Sequence, residues 1–223
     1  MAELTSIQRK VLNLFKKSSL KDKFYWTGGT LLSSLYLHHR QSKDLDFFSN
    51  SPFSYQEIIS FIKQIKEDLS LKKIEQKKIF DRWEFFLHNK SKIRIEFVLY
   101  DYPKLKSRKK WQGILVDSLD DIATNKVMAF FDRNDPKDLF DLYFLLTKKK
   151  YKVRKLLKMV EKKFGVEFSE SSFWSESHKA LKDLDNLRPL LMTKSSKERD
   201  KIIKKVKNYF IDNSVHYLDK FIG

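Results

Sequence analysis

Residues 24–32, Phe24-Tyr25-Trp26-Thr27-Gly28-Gly29-Thr30-Leu31-Leu32, and residues 44–48, Asp44-Leu45-Asp46-Phe47-Phe48, decide how this chain is read. The apolar run 24–27 predicts a short strand, Gly28-Gly29 breaks it, and Thr30 opens an apolar helix over residues 31–39 that must pack on a sheet. Residues 44–48 predict a second strand. Side chains two apart on a strand leave the same face, so the Asp44 and Asp46 carboxylates are neighbours suited to sharing divalent cations. The glycine pair allows positive φ and close approach of a ligand, and the helix start beyond it directs N–H groups and a positive dipole end into the same space. That combination suits a phosphate. Either feature alone has an ordinary account: a strand-to-helix turn, or a chance Asp-x-Asp such as Asp183-Leu184-Asp185. The P-loop pattern GxxxxGK[ST] is missing.

Working outward, Pro52 and Ser54 introduce a helix to about residue 69, and segments 72–80, 83–88 and 93–100 predict an antiparallel meander. In the last of these, Ile93, Ile95, Phe97 and Leu99 share one face, which leaves Arg94 and Glu96 on the other. A basic loop, 104–110, leads to a short strand at 114–116, and Asp117-Ser118 offers a helix N-cap. Beyond it the apolar periods are helical, over 119–131, 137–146, 153–164 and from 198 to 210 or further. Upstream, Ile7, Val11, Leu12, Leu14 and Phe15 mark a helix over 7–20. The change of pattern divides the chain into a core, 1–117, and a helical part, 118–223. Segment 169–179 yields no assignment, and no internal repeat is present.

Among 223 residues, 19 Phe, nine Tyr and four Trp supply a real core, while five Gly and four Pro leave little for linkers. The absence of cysteine excludes disulfides, zinc thiolates, iron–sulfur clusters and thiol nucleophiles. Lys and Arg total 46 against 29 acids, a net charge of +17 that points to a polyanion such as RNA, DNA or an anionic membrane face, or to a Lys-rich compositional bias. The N-terminal residues lack an apolar signal region, and no apolar run of about 18 residues occurs, so a cytoplasmic location without membrane insertion is expected. Ser33-Ser34 has no nucleophile-elbow setting, and His38-His39 beside Arg40 and Lys43 suits a surface or cap role better than a metal.

The run 26–32 followed by His39-Arg40-Gln41-Ser42-Lys43-Asp44-Leu45-Asp46-Phe47-Phe48 resembles the signature of minimal nucleotidyltransferases of the AbiEii/AbiGii abortive-infection toxin family. Asp121-Ile122, Lys126, Ala129, Arg133 and Lys137-Asp138-Leu139-Phe140-Asp141-Leu142 resemble its downstream helical motif. The resemblance implies an α+β fold, a DNA-polymerase-β-like core of mixed sheet and flanking helices, followed by an all-helical domain contributing to the active site. It also implies transfer of a nucleoside monophosphate from an NTP, with two Mg²⁺ ions on the Asp pair, to RNA such as the tRNA 3′ end. A toxin role implies a cognate antitoxin. Where larger relatives have Gly-Ser at the turn, this chain has Gly28-Gly29-Thr30, so the hydroxyl that would meet a phosphate comes one position later.

In-line attack on an α-phosphorus spreads charge over the phosphoryl oxygens, and two metals about 4 Å apart activate the nucleophile and stabilise the leaving pyrophosphate. Asp44 and Asp46 suit bridging them, and Glu96 is the candidate third carboxylate, with cross-strand pairing to Arg82 or Arg94 as the alternative. Lys126 matches the family's Lys. It lies seven residues before Arg133 on one helix face, where both suit triphosphate oxygens or the base, or a solvated face. Asp138, with Asp141 supporting it, suits fixing one of these cations, or favouring the helix dipole. Other readings are nucleotidylation of a protein side chain and a non-catalytic nucleic-acid-binding protein.

Overall fold

The computed structural model describes residues 4–88 and 92–222. It divides into two compact units, Met1–Leu119 and Asp120–Gly223.

The first unit is a mixed sheet with helices against it. Its helices are α1 (Ser6–Lys17), α2 (Gly28–Leu31, continued as a π-helix over Leu32–Leu37) and α3 (Tyr55–Asp68). Its strands are β1 (Tyr25–Thr27), β2 (Leu45–Ser49), β3 (Lys73–Ile79), β4 (Arg82–His88), β5 (Lys92–Leu99), β6 (Lys109–Trp111) and β7 (Ile114–Val116), in the order β3-β4-β5-β2-β1-β7-β6. β3, β4 and β5 form the expected antiparallel meander. β2 runs parallel to β5 and antiparallel to β1, and β1 runs parallel to β7.

Alternation sorts the strands into two faces. Leu45 and Phe47 of β2 and Ile93, Ile95 and Phe97 of β5 are buried. Phe97 is the hub: its ring centroid lies 5.1 Å from Phe24, 5.4 Å from Phe47, and 6.3 Å from Phe61 of α3 and Phe85 of β4. α1 closes this side by stacking Phe15 on Phe47 at 4.1 Å. Each such ring removed from water contributes about 1.5–3 kcal/mol. The opposite face carries Asp46, Arg94, Glu96 and Glu84.

Three expectations are corrected. The basic loop 104–110 runs directly into a strand, β6, which pairs with β7 as a hairpin turning at Gln112 (φ 48°) and Gly113 (φ 88°). The helix after β1 begins at Gly28, two residues before Thr30. The surface or cap role expected of His38-His39 holds for His38, the exposed C-cap of the π-helix with φ 51°, but not for His39, which is only 7% exposed.

The second unit is helical: most of α4 (Leu119–Arg133), then α5 (Pro136–Thr147), α6 (Val153–Phe164), α7 (Glu170–Ala180), a 3₁₀ stretch (Leu181–Leu190) and α8 (Ser196–Ile222). α7 fills the segment left unassigned by pattern. It buries Phe173 and Trp174 against Phe130 and Phe210, with centroids 6.0 and 6.4 Å apart. Among the described residues, no helix is long and apolar enough to cross a membrane.

Candidate active site

The turn from β1 into α2 is built around Asp46. Gly28 has φ +80°, and a Cβ there would stand 1.8 Å from Asp46 Oδ2. Glycine is therefore required twice, by backbone conformation and by space. At Gly28 the close approach that the sequence offered to a ligand is made by the protein's own carboxylate.

Two side chains hold the segment that delivers Asp44. Thr30 is buried, its hydroxyl donates to the Asp44 carbonyl, and Ser42 Oγ lies 2.9 Å away. That hydroxyl is turned into the protein instead of being presented to a phosphate, which corrects the role expected for it. Gln8, buried on α1, donates from its amide to the carbonyls of Ser42 and Lys43, both at 3.0 Å. Its Oε1 accepts from the Thr5 backbone N–H at 2.8 Å in a capping box.

Thr27, Asp46, Glu96, Glu84 and Lys77 lie in register across β1, β2, β5, β4 and β3. Three successive carboxylates thus stand opposite one another on strands about 4.8 Å apart, an arrangement that destabilises a sheet unless the charge is compensated. Arg94 compensates it. Its guanidinium lies 3.1 Å from Asp44, 3.9 Å from Asp46, 3.2 Å from Glu84 and 3.7 Å from Glu96. Arg82 adds contacts of 3.1 Å to Glu96 and 3.8 Å to Glu84. Burial would weaken Arg94's hold on its proton, but the charges of Glu96, Asp44, Asp46 and Glu84 outweigh that and raise its pKa.

Compensation is incomplete at Glu96. Burial, then the charge of Asp46, push its carboxyl up to about 8, above the opposing pull of Arg94 and Arg82. Its buried Oε1 has the 3.1 Å ion pair with Arg82 but no hydrogen bond of good geometry. The site therefore joins hard oxygen donors and an excess of carboxylates over cations, a donor set whose chemistry fits a divalent cation on Asp44, Asp46 and Glu96. With Arg94 lodged among the side chains, no group of three or more His, Asp or Glu among the described residues has metal-binding spacing as it stands. The cross-strand pairing of Glu96 with Arg82 and Arg94 is thus present, and Glu96 stands in the carboxylate row beside Asp46.

In the helical unit, Lys126 and Arg133 of α4 meet Asp138 and Asp141 of α5. Lys126 Nζ lies 2.8 Å from Asp138 Oδ1 and 2.8 Å from Asp141 Oδ2, while Arg133 Nε and Nη2 each lie 2.8 Å from Asp138 Oδ2. The two carboxylates are fully buried and the Arg133 side chain is 54% exposed. Pro136 at the first position of α5, after the Asp135 N-cap, sets the helix start that brings both acids to this side. Asp121, from the same sequence block, pairs with Lys163 at 2.8 Å, also buried.

The first unit thus gathers Gly28, Gly29, Asp44, Asp46 and Glu96 about one turn and one sheet face, and the second gathers Lys126, Arg133 and Asp138. Sequence reading missed Glu84 and Gln8. The alternation Arg82, Glu84, Phe86 on β4 marks Glu84, and the Thr5-x-x-Gln8 pattern marks Gln8 as a cap residue, though not its reach to residues 42 and 43.

The protein aq_aa25 of Aquifex aeolicus is 33% identical over 174 residues, 76% of this chain and 80% of that protein. Two Helicobacter pylori structures share the fold. One, assigned as a candidate nucleotidyltransferase, has a TM-score of 0.61 at 19% identity over 96% of this chain and 94% of its own. JHP933 has a TM-score of 0.60 at 18% identity over 99% and 100%. The profile of the AbiEii nucleotidyl transferase toxins of type IV toxin–antitoxin systems matches residues 10–211, a span that includes the Gly28 turn, the carboxylate row and the Lys126–Asp138 cluster, and the chain belongs to that family of nucleotidyltransferases.

Proposed function

We propose that this nucleotidyltransferase is Mg²⁺-dependent, has a DNA-polymerase-β-like core, and transfers a nucleoside monophosphate from an NTP to the 3′ end of RNA, tRNA first, as a toxin controlled by a cognate antitoxin. The observation that carries the reading is the row Asp46–Glu96–Glu84 with Asp44 beside it, held against the Gly28 turn. Asp44, Asp46 and Glu96 would hold the metal, which when bound activates the attacking hydroxyl and stabilises the leaving pyrophosphate.

The residues do the rest. The 3′ oxygen attacks the α-phosphorus, the bond to the bridging oxygen of the β-phosphate breaks, and pyrophosphate leaves. Glu96, opposite Asp46 in the row, completes the carboxylate set that would hold the metal, and the hydroxyl proton passes to solvent. Gln8 and Thr30 fix the backbone that carries Asp44, so the carboxylates need not reorganise as charge develops. In the helical unit, Arg133 is the half-exposed cation suited to phosphate oxygens, and Lys126 holds Asp138 and Asp141. The net charge of +17 supports a polyanionic acceptor.

The test incubates the chain with each labelled NTP, Mg²⁺, and either intact or periodate-oxidised tRNA in cell extract. Label on intact tRNA alone is expected. Label on oxidised RNA, or on protein only, overturns the acceptor assignment, and Asp46→Ala retaining activity within a few-fold overturns the site.

A further inference from the structure

Phe48 lies two residues beyond Asp46 on the same face of β2, about 7 Å along the strand, and starts a run of rings that the transfer chemistry leaves unused. The Phe48 and Tyr100 centroids are 4.7 Å apart, and those of Tyr100 and Tyr102 are 5.0 Å apart. The inner end is fixed. Tyr25 packs beside Phe48 at 6.1 Å and is covered by the Arg108 guanidinium, 3.3 Å from its ring centroid. The Tyr100 N–H donates to Ser49 O at 2.7 Å. The Asn50 amide donates to the carbonyls of Tyr100 at 2.7 Å and Tyr102 at 3.2 Å, which pins the backbone beyond β5.

At the outer end Tyr102 is 44% exposed. The chain then enters the basic segment, where Lys104, Lys106, Lys109 and Lys110 are all exposed.

We infer that Phe48, Tyr100 and Tyr102 form a stacking platform for the last unpaired bases of the RNA acceptor, with the lysines of residues 104–110 on its phosphates; this rests on the RNA reading given above. Three rings in succession suit successive bases of a strand, whereas the base of an NTP needs one. Stacking tolerates any base, and the adjoining cations match a run of phosphates, the two parts of single-strand recognition. The platform's place on the Asp46 face leads a strand lying on it toward the carboxylates. The rings are tilted by 38° and 58° in a stepped contact, with Phe48 and Tyr100 half-buried and Tyr102 exposed, so the row presents ring edges and part-faces along one line.

The test is fluorescence anisotropy of a labelled single-stranded RNA with a free 3′ hydroxyl, titrated with the full chain at two salt concentrations. Tyr102→Ala should weaken binding about tenfold, Tyr102→Trp should restore it, and KM for the NTP should stay unmoved. A 4-thiouridine near the 3′ end should cross-link within residues 100–104. RNA bound equally by wild type and Tyr102→Ala, with cross-links elsewhere, overturns the platform and leaves the acceptor reading standing. No RNA binding by wild type overturns the acceptor reading, and the platform falls with it. A raised KM for the NTP with unchanged RNA affinity assigns the rings to the NTP base and overturns the proposal.

Discussion

Gly28→Ala puts the turn to a quantitative test. The added methyl would stand 1.8 Å from Oδ2, 2.6 Å from Cγ and 2.9 Å from Cβ of Asp46, separations that real Cβ atoms essentially never show. The Asp46 side chain therefore has to retreat by about 1.2 Å or more, and a displacement of about 1 Å at a reacting group can cost about a hundredfold in rate. An L-residue at φ +80° adds about 1 kcal/mol of backbone strain. Asp46 has little freedom to give way, because Glu96 lies opposite it and Arg94 flanks it. Strain and overpacking together should destabilise the chain by about 2–4 kcal/mol. Urea unfolding measures that loss, and single-turnover labelling measures the rate. The decisive comparison is the double-mutant cycle with Asp46→Ala. Once the carboxylate is gone the backbone strain and the 2.9 Å approach to the Cβ of residue 46 remain, so Gly28→Ala should cost about 1–2 kcal/mol there and the pair should couple by about 1–2 kcal/mol. Additive effects within about 0.5 kcal/mol, or a single variant within a few-fold of wild-type rate, would refute the argument that the glycine exists to admit Asp46.

Three further outcomes follow from the ion-pair geometry. The Glu96 carboxyl, raised from 4.5 to about 8, keeps a proton in the folded chain that the unfolded chain has lost between those values, so its contribution to stability falls as pH rises through that window; Glu96→Gln should lessen the decline in urea melts, and slopes identical to wild type would argue against a raised pKa. Lys126→Met leaves Asp138 and Asp141 buried with Arg133 as their remaining cation from α4, and should destabilise by about 3–5 kcal/mol; weakened NTP use with an unchanged melt, the outcome suggested by sequence alone, would show that the buried pair contributes nothing to stability. Asp183→Ala and Asp185→Ala touch a half-buried Asp-x-Asp in which Asp185 pairs with Lys207 at 2.5 Å and Arg188 at 2.8 Å, so each should cost about 1 kcal/mol or less and leave transfer intact; a large loss of activity would mean that the metal seat had been given to the wrong pair.

The strands and helices that carry the site were legible because their signals are local. Alternation along residues 93–100 separates Ile95 and Phe97 from Arg94 and Glu96, and the structure keeps that division. Ser54 before α3 caps it through Glu57, as its position after Pro52 indicated. What escaped was long-range or weakly patterned. β6 is three residues of Lys-Lys-Trp, whose charge reads as loop until β7 pairs with it. α7 mixes serines with two buried aromatics and so lacks a clear helical period. The Thr30 hydroxyl was assigned by analogy to a phosphate, but its acceptor is a carbonyl 14 residues later, a partner that spacing does not reveal. Glu84 escaped for the same reason. Nothing within β4 says that its carboxylate will lie opposite Glu96, because that follows from the register of two strands.

That register explains why a costly arrangement persists. Asp46 lies between Leu45 and Phe47, and Glu96 between Ile95 and Phe97, all four apolar neighbours being fully buried. Alternation turns the core contacts of one face into fixed positions on the other: slipping β2 by one residue to separate Asp46 from Glu96 would carry Phe47 out of the stack with Phe15 and Phe97. Repulsion within the row cannot be relieved by sliding strands, so it is met by Arg94, by Arg82 and by the proton on Glu96. The aromatic core holds the carboxylate cluster with its charge only partly compensated, and under the mechanism proposed above a cation would complete the compensation once Arg94 has moved aside, without rebuilding the sheet. The stability given up on the polar face is the expected accompaniment of a preorganised site.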